Sequence, residues 1–215
     1  MTDDAARPSA ARRAGRHGDL RAALIEAGVQ MASERGPGAV VLREATRRAG
    51  VVPNAAYRHF RDRDALLQAV SAHAMSRLAL AMEDEQDALP DVSNPRARAR
   101  ARLRAVGSGY LGFAARAPGL FRTAFALPDH LAYADDAGSA GRRGRTPFQL
   151  LNDALDDLDA CGGLAAGRRP GAELLAWSTV HGLAMLTLEG PLRGLDEEQY
   201  AHVGQQLLDL IDRGL

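Results

Sequence analysis

The sequence predicts an all-α protein of about nine helices, with a small N-terminal unit over residues 18–80 and a larger C-terminal unit over residues 81–215. Three observations predict it. Apolar residues recur at intervals of three and four along most of the chain, the spacing of one helix face. Asp, Asn or Thr stands before several of these runs, often with Pro next, and Gly or Pro follows them, which is helix punctuation. No stretch reads as a convincing strand, and no internal repeat is visible.

Residues 1–17 are rich in Ala, Arg, Gly, Pro and Ser without periodicity and are expected to form a disordered basic tail. Arg7, Arg12, Arg13 and Arg16 make it either a solvated leader or an arm along nucleic acid. From residue 19 the pattern is helical, with Leu20, Leu24, Ala27 and Met31 on one face, until Gly36 and Pro37 stop it. A short helix is expected over Leu42 to Ala49, a turn at Gly50 and Val51, and a second short helix started by Pro53 and running through Tyr57 to His59. Proline suits a first turn, where its missing N–H has no intrahelical partner. Asp62 can cap a fourth, longer helix with Leu66, Val70, Ala74 and Leu78 spaced by fours. Two short helices joined by a tight turn between longer ones are the plan of a helix-turn-helix domain.

Asn94 and Pro95 open the next helix. Its Arg/Ala alternation from Arg96 to Arg104 mimics a strand, but both residue types favour helix, so these arginines are expected around solvated first turns. Pro118 and Gly119 break it, and Leu120, Phe121, Ala124 and Phe125 make another apolar segment. Residues 128–146 read as a polar, glycine-bearing loop, long enough to be mobile or a lid. Thr146 and Pro147 start a helix that ends at Cys161-Gly162-Gly163. Two helices follow, near 172–190 and 196–213, the second with an Asp196 to Gln199 capping box. The first of these, AELLAWSTVHGLAMLTLEG, is apolar nearly all round and needs burial on every side, within its own domain or against another subunit.

Composition narrows the function. Hydrophobic content of 46% and charged content of 25% are those of an ordinary globular chain. The 27 basic residues, all arginine, balance 27 acidic ones, so attraction to a polyanion must come from local segregation of charge. Residues 43–63 show it, with six arginines against Glu44 and Asp62. Cys161 is the single cysteine, which excludes an internal disulfide and multi-cysteine zinc patterns. The N-terminus lacks the apolar core of a signal peptide and no apolar run is long enough for a bilayer, so a cytoplasmic protein without membrane contact is expected. No metal-ligand spacing, phosphate-binding glycine loop or nucleophile elbow occurs, so no metal, cofactor or catalytic residue is expected.

Within LREATRRAGVVPNAAYRHFRDRDALLQAV, the run Ala49-Gly50-Val51, then Tyr57-Arg58-His59-Phe60, Arg63 and Asp64-Ala65-Leu66 resembles the DNA-binding domain of the tetracycline-repressor (TetR) family. Leu42, Ala45 and Thr46 depart from that family's usual residues. In the C-terminal half, Trp177-His181-Gly182 and the run YLGFAARAPGLF, Tyr110 to Phe121, resemble the Trp-His-Gly branch of the same family. The resemblance implies a three-helix helix-turn-helix domain followed by a larger all-α domain that dimerises and binds a small effector. It also implies phosphate contacts by Tyr57 and His59.

The residues fit that reading on their own chemistry. A recognition helix needs small or polar residues at its exposed start and apolar ones behind to fix its tilt. Val52, Pro53, Asn54 and Ala55 are that start: Asn54 suits an adenine edge, Val52 and Ala55 a thymine methyl. Arg43 reaches guanine or phosphate, and Arg63 adds a phosphate contact. Asn54 could instead cap its helix, Arg61 could only pair with a neighbouring carboxylate, and Arg58 could face solvent. For an effector, the candidate residues are Tyr110, Phe113, Phe121, Phe125, Phe148, Trp177, His181 and Met185, all in apolar helices. For Trp177 and His181, four apart on one face, a helix-packing pair with a satisfied imidazole is favoured over an effector ligand. The expected function is a repressor that binds a palindromic operator as a homodimer through its last two helices and is released by a small-molecule effector. The alternatives are a helical ligand- or partner-binding protein without operator function, or an enzyme.

Overall fold

The computed structural model of the chain describes residues 10–127 and 136–214, with side chains from residue 20 onward. Nine α-helices are present among the described residues, and no strand. Helix α1 spans Ala10–Arg35. It starts inside the segment expected as a tail, because Ala and Arg favour helix even without an apolar stripe; residues 1–9 of that segment lie outside the described residues. Gly36, at φ 76°, ends α1, and a 3₁₀ turn, Pro37–Ala39, leads to α2, Leu42–Arg48. Helix α3 is Pro53–Ala56.

Helix α3 is shorter than its sequence promised. The His59 N–H reaches the Ala56 carbonyl three residues back, so the chain tightens into a turn over Tyr57 to His59 before Phe60. Asp62 then caps α4, Arg63–Asp87, by accepting the Ala65 N–H at 2.8 Å. The fours-spaced stripe Leu66, Val70, Ala74 and Leu78 is wholly buried. Helix α4 passes residue 80 without a break, so the two units expected from the sequence share it.

The C-terminal unit comprises α5, Pro95–Arg116; α6, Pro118–Ala124; α7, Pro147–Ala160; α8, Ala172–Leu188; and α9, Glu197–Gly214. Asn94 caps α5, and Thr146 with Gln149 forms a capping box on α7. Helices α4 and α5 cross at Gly109, where a Cβ would sit 2.7 Å from the Ala81 carbonyl. Helix α6 wedges between α1 and α4, seated by Gly119 against the carbonyls of Ala32 and Ser33. Helix α7 packs on α5 and α4, and α8 and α9 cover the rest of α5.

The Arg/Ala helix differs from expectation at three positions. Arg100 pairs with Asp212, Arg102 with Asp157 and Arg104 with Asp209, each at 2.5 Å, which ties α5 to α9 and α7. Only Arg96 and Arg98 of that run are the exposed side chains foreseen.

Candidate nucleic-acid interface and ligand cavity

The helix-turn-helix is held from behind. Ala45 and Ala56 are fully buried and Phe60 nearly so, with the Arg21 guanidinium 5.4 Å from the Phe60 ring centre. Gly50, at φ 67°, makes the turn, and the Val51 N–H bonds to the Thr46 carbonyl at 3.0 Å. Thr46, one of the departures from the family pattern, is buried with its hydroxyl donated to the Arg43 carbonyl. The turn therefore fixes α3 against α2 before any ligand is bound.

What faces outward is unlike a packed surface. Val52 is 69% exposed and Tyr57 58%, with Val41 beside them. Pro53 and Asn54 are exposed and Ala55 half-buried. Asn54 does not cap α3, whose cap position is Val52 without a side-chain bond; among the described residues its amide makes no hydrogen bond. Val41, Arg43, Val51 and Pro53 line one surface depression between α2 and α3. His59 is half-buried at the turn that closes α3.

The six arginines divide by partner. Arg47 and Arg48 both bind Glu44, and Arg48 also binds Glu34. Hydrogen bonds from Arg47 and then Arg48 hold the Glu44 carboxyl down at about 2. Arg61 binds its neighbour Asp62. Arg63 donates to the carbonyls of Val40 and Pro37, both at 2.9 Å, and to Asp64. It clasps the 3₁₀ turn to the start of α4, a role that sequence did not suggest. Arg43 and Arg58 are exposed and make no ion pair among the described residues.

A second concave site lies between α4, α5, α7 and α8, an apolar cavity of about 80 Å³. Of the candidate effector residues, Tyr110, Phe125, Phe148 and Trp177 line it. Phe113, Phe121, His181 and Met185 do not; Phe121 is fully buried behind Tyr110, edge-on at 5.4 Å between ring centres. Trp177 Nε1 donates to Tyr110 Oη at 3.3 Å, and Tyr110 Oη lies 2.7 Å from His181 Nδ1. Burial holds the Tyr110 hydroxyl protonated far beyond the ordinary phenol range, so it meets His181 as a neutral phenol. The Trp177 and His181 pair thus meets on Tyr110, and the imidazole supports the wall instead of forming it.

Sequence reasoning missed the segment that closes this cavity. A 3₁₀ turn, Ala137–Ser139, and the chain to Arg145 are fastened to α4. The Glu83 carboxylate, wholly buried, accepts the backbone N–H groups of Arg142 and Arg143 at 2.8 and 3.0 Å. Gly141 makes room for it: a Cβ there would lie 2.6 Å from Glu83 Oε1. Ser76 donates to the Ala140 carbonyl, and Arg142 binds Asp84 and Asp87. This part of the expected mobile loop is tied down; residues 128–135 lie outside the described residues. The available signal was Glu83 itself, an acid seven residues after Ser76 and four after the buried Ala79.

Residues 24–70 match the model of bacterial regulatory proteins of the tetR family, and residues 103–210 match the tetracyclin repressor-like C-terminal domain. The chain belongs to the tetracycline-repressor family. As a member it is a DNA-binding transcription regulator, and the second match contains both stretches that resembled the Trp-His-Gly branch. A protein with unknown function from Rhodococcus sp. RHA1 shares 26% identity and a TM-score of 0.71, over 100% of this chain and 99% of that one. A TetR family regulator from Marinobacter aquaeolei VT8 shares 19% identity with a TM-score of 0.59, over 91% and 97%. FadR of Bacillus subtilis in complex with stearoyl-CoA shares 16% and 0.55, over 90% and 98%. These last two likenesses are of fold. No curated protein matches the sequence. Among the described residues no helix is long and apolar enough to cross a membrane, and no group of three or more His, Cys, Asp or Glu is placed to hold a metal ion.

Proposed function

We propose that this tetracycline-repressor family member represses transcription as a homodimer on a palindromic operator and is released by a small molecule bound in the α4–α8 cavity, acting by binding and not by catalysis. The observation that carries the reading is the presented start of α3. Val52, Pro53 and Asn54 stand exposed with the Asn54 amide uncommitted, flanked by Arg43 and Arg58 without ionic partners. Base edges and phosphates are the groups that such a surface fits. Tyr57 and His59 border it as phosphate contacts.

A dimer is supported by the outer face of α8 and α9. Leu175 is 62% exposed and Leu210 63%, with Leu174 and Leu186 also exposed. Gly182 lies on the same side of α8, and a Cβ there would meet nothing within 4 Å. An apolar helix face with a glycine at its middle suits close approach of a second copy. Two α3 helices would then enter successive major grooves about 34–36 Å apart.

Selection of bound duplexes from a random DNA pool tests the proposal. The expected product is a palindrome whose half-sites lie one helical turn apart. Enrichment of no sequence would reject operator binding and leave a helical ligand-binding protein.

A further inference from the structure

The polar groups on the cavity wall restrict what can occupy it, because nearly all of them are committed elsewhere. Ser71 donates its hydroxyl to the Ala124 carbonyl, and Thr146 is held in the α7 capping box. Tyr110 is shared between Trp177 and His181. At the far end Arg100 is bound to Asp212 and to the Gly163 carbonyl, and Arg104 to Asp209 and Gln205. Asp136, at the other end, caps its own turn by accepting the Gly138 N–H. Among the described residues no cation on the wall is left without a carboxylate. A ligand carboxylate or phosphate inside would lose its hydration without gaining a counter-charge.

Ser139 is the exception. It is 4% exposed, lines the cavity, and its hydroxyl makes no hydrogen bond among the described residues. A buried hydroxyl without a partner is unfavourable, and few folded proteins keep one without a reason. Gln68, exposed at the same end, is the other uncommitted polar side chain there. We infer that the cavity takes an uncharged, mainly apolar molecule carrying one hydrogen-bonding oxygen, and that the Ser139 hydroxyl holds that oxygen. The inference rests on the effector reading only for its regulatory consequence; the chemistry of the site stands on the wall itself.

Size adds that consequence. The cavity measures about 80 Å³, whereas an engineered apolar cavity that takes up benzene is about 150 Å³. A larger ligand therefore fits only by displacing wall, and the wall at Ser139 is the turn latched to α4 through Glu83, Ser76 and Arg142. Helix α4 carries the helix-turn-helix at its N-terminal end, with Val70 packed against Gly28 of α1. An oxygen drawn to Ser139 acts on the segment that is bonded to α4.

Calorimetric titration of the full-length protein with 1-naphthol, naphthalene and 1-naphthoate tests this. The neutral pair should bind, with naphthoate weaker than naphthol by about tenfold or more. Ser139→Ala should weaken 1-naphthol by about three- to tenfold and leave naphthalene unchanged. Thermal melts check that the variant folds, and Ser139→Cys, close to isosteric with a weaker donor, should give an intermediate loss if Ser139→Ala does not fold. Tighter binding of naphthoate, equal loss of both neutral compounds in the variant, or binding of neither overturns the inference. Release of the selected operator by 1-naphthol is measured separately. Binding with the Ser139 dependence but no release overturns the effector reading and leaves the site's chemistry intact.

Discussion

The α3 surface and the cavity beside α4 treat polar groups in opposite ways. On the α3 surface, donors are left over: the Asn54 amide and the Arg43 and Arg58 guanidiniums have no polar partner among the described residues. In the cavity most polar groups are consumed, with Trp177 donating to Tyr110, Tyr110 paired with His181, and Arg100 and Arg104 bound to aspartates, and Ser139 and the exposed Gln68 stand as the exceptions. A surface meant for a hydrated polyanion keeps charges available, since each phosphate contact releases counterions. A site meant for an apolar molecule must satisfy its own polar groups first, because a small ligand cannot do so. The contrast supports the proposed division of labour between the α3 surface and the cavity without reference to any relative.

The largest effect should come from the latch between the two regions. Glu83→Ala removes the buried carboxylate that accepts the part-buried Arg142 and Arg143 N–H groups and is expected to cost about 2 kcal/mol or more in urea denaturation. Glu83→Gln keeps one good acceptor and should cost less. A loss no greater than that of an exposed acid outside the latch, such as Asp91→Ala, would mean that the 137–145 segment is not held by this carboxylate.

Next in size is the reading surface. Arg43→Ala combined with Asn54→Ala should weaken operator binding by about a hundredfold, roughly tenfold for each contact, while the thermal midpoint stays unchanged, because neither side chain makes a hydrogen bond or ion pair among the described residues. Mobility shifts at several salt concentrations check both parts. Arg63 sharpens the comparison from the other side. Its two bonds to the Pro37 and Val40 carbonyls make it a clasp, so Arg63→Leu should lower stability by about 1 kcal/mol and leave the slope of affinity against salt unaltered. A slope smaller by about one would instead assign it to a phosphate.

How far the sequence foretold these parts depends on the range of the interactions. The α4 stripe was legible because Leu66, Val70, Ala74 and Leu78 repeat every four residues, and the starts of α5 and α7 because cap and proline are adjacent in sequence. The α5 arginines were read as solvated, since their partners Asp157, Asp209 and Asp212 lie more than fifty residues away. The aromatic candidates divide for the same reason. Apolarity marks Phe121 and Phe125 alike, but only packing decides that one lies behind Tyr110 and the other beside the cavity. Ser139 sits in a segment without periodicity, where no sequence rule assigns an inside.

The smallest expected effect concerns pH, at the joint between the two regions. His73 is half-buried on α4, and burial pulls its pKa below the ordinary 6.5; Glu26 on α1 opposes that shift and Arg77 adds to it. The folded protein thus keeps His73 neutral at pH values where the unfolded chain would protonate it. Fewer protons bound in the folded state mean that stability rises with pH through the window below 6.5 and levels off above it. Denaturation midpoints should therefore fall modestly as pH is lowered from neutral toward 5.5, and His73→Gln should flatten that slope. Glu44, held at about 2, stays ionised throughout and does not confuse the reading. Because His73 faces α1, the same acidification should loosen the α1–α4 contact that carries α3, while the cavity, with Tyr110 protonated at every such pH, should bind an uncharged ligand as before. Equal slopes in the wild type and the variant would place the pH dependence elsewhere in the molecule.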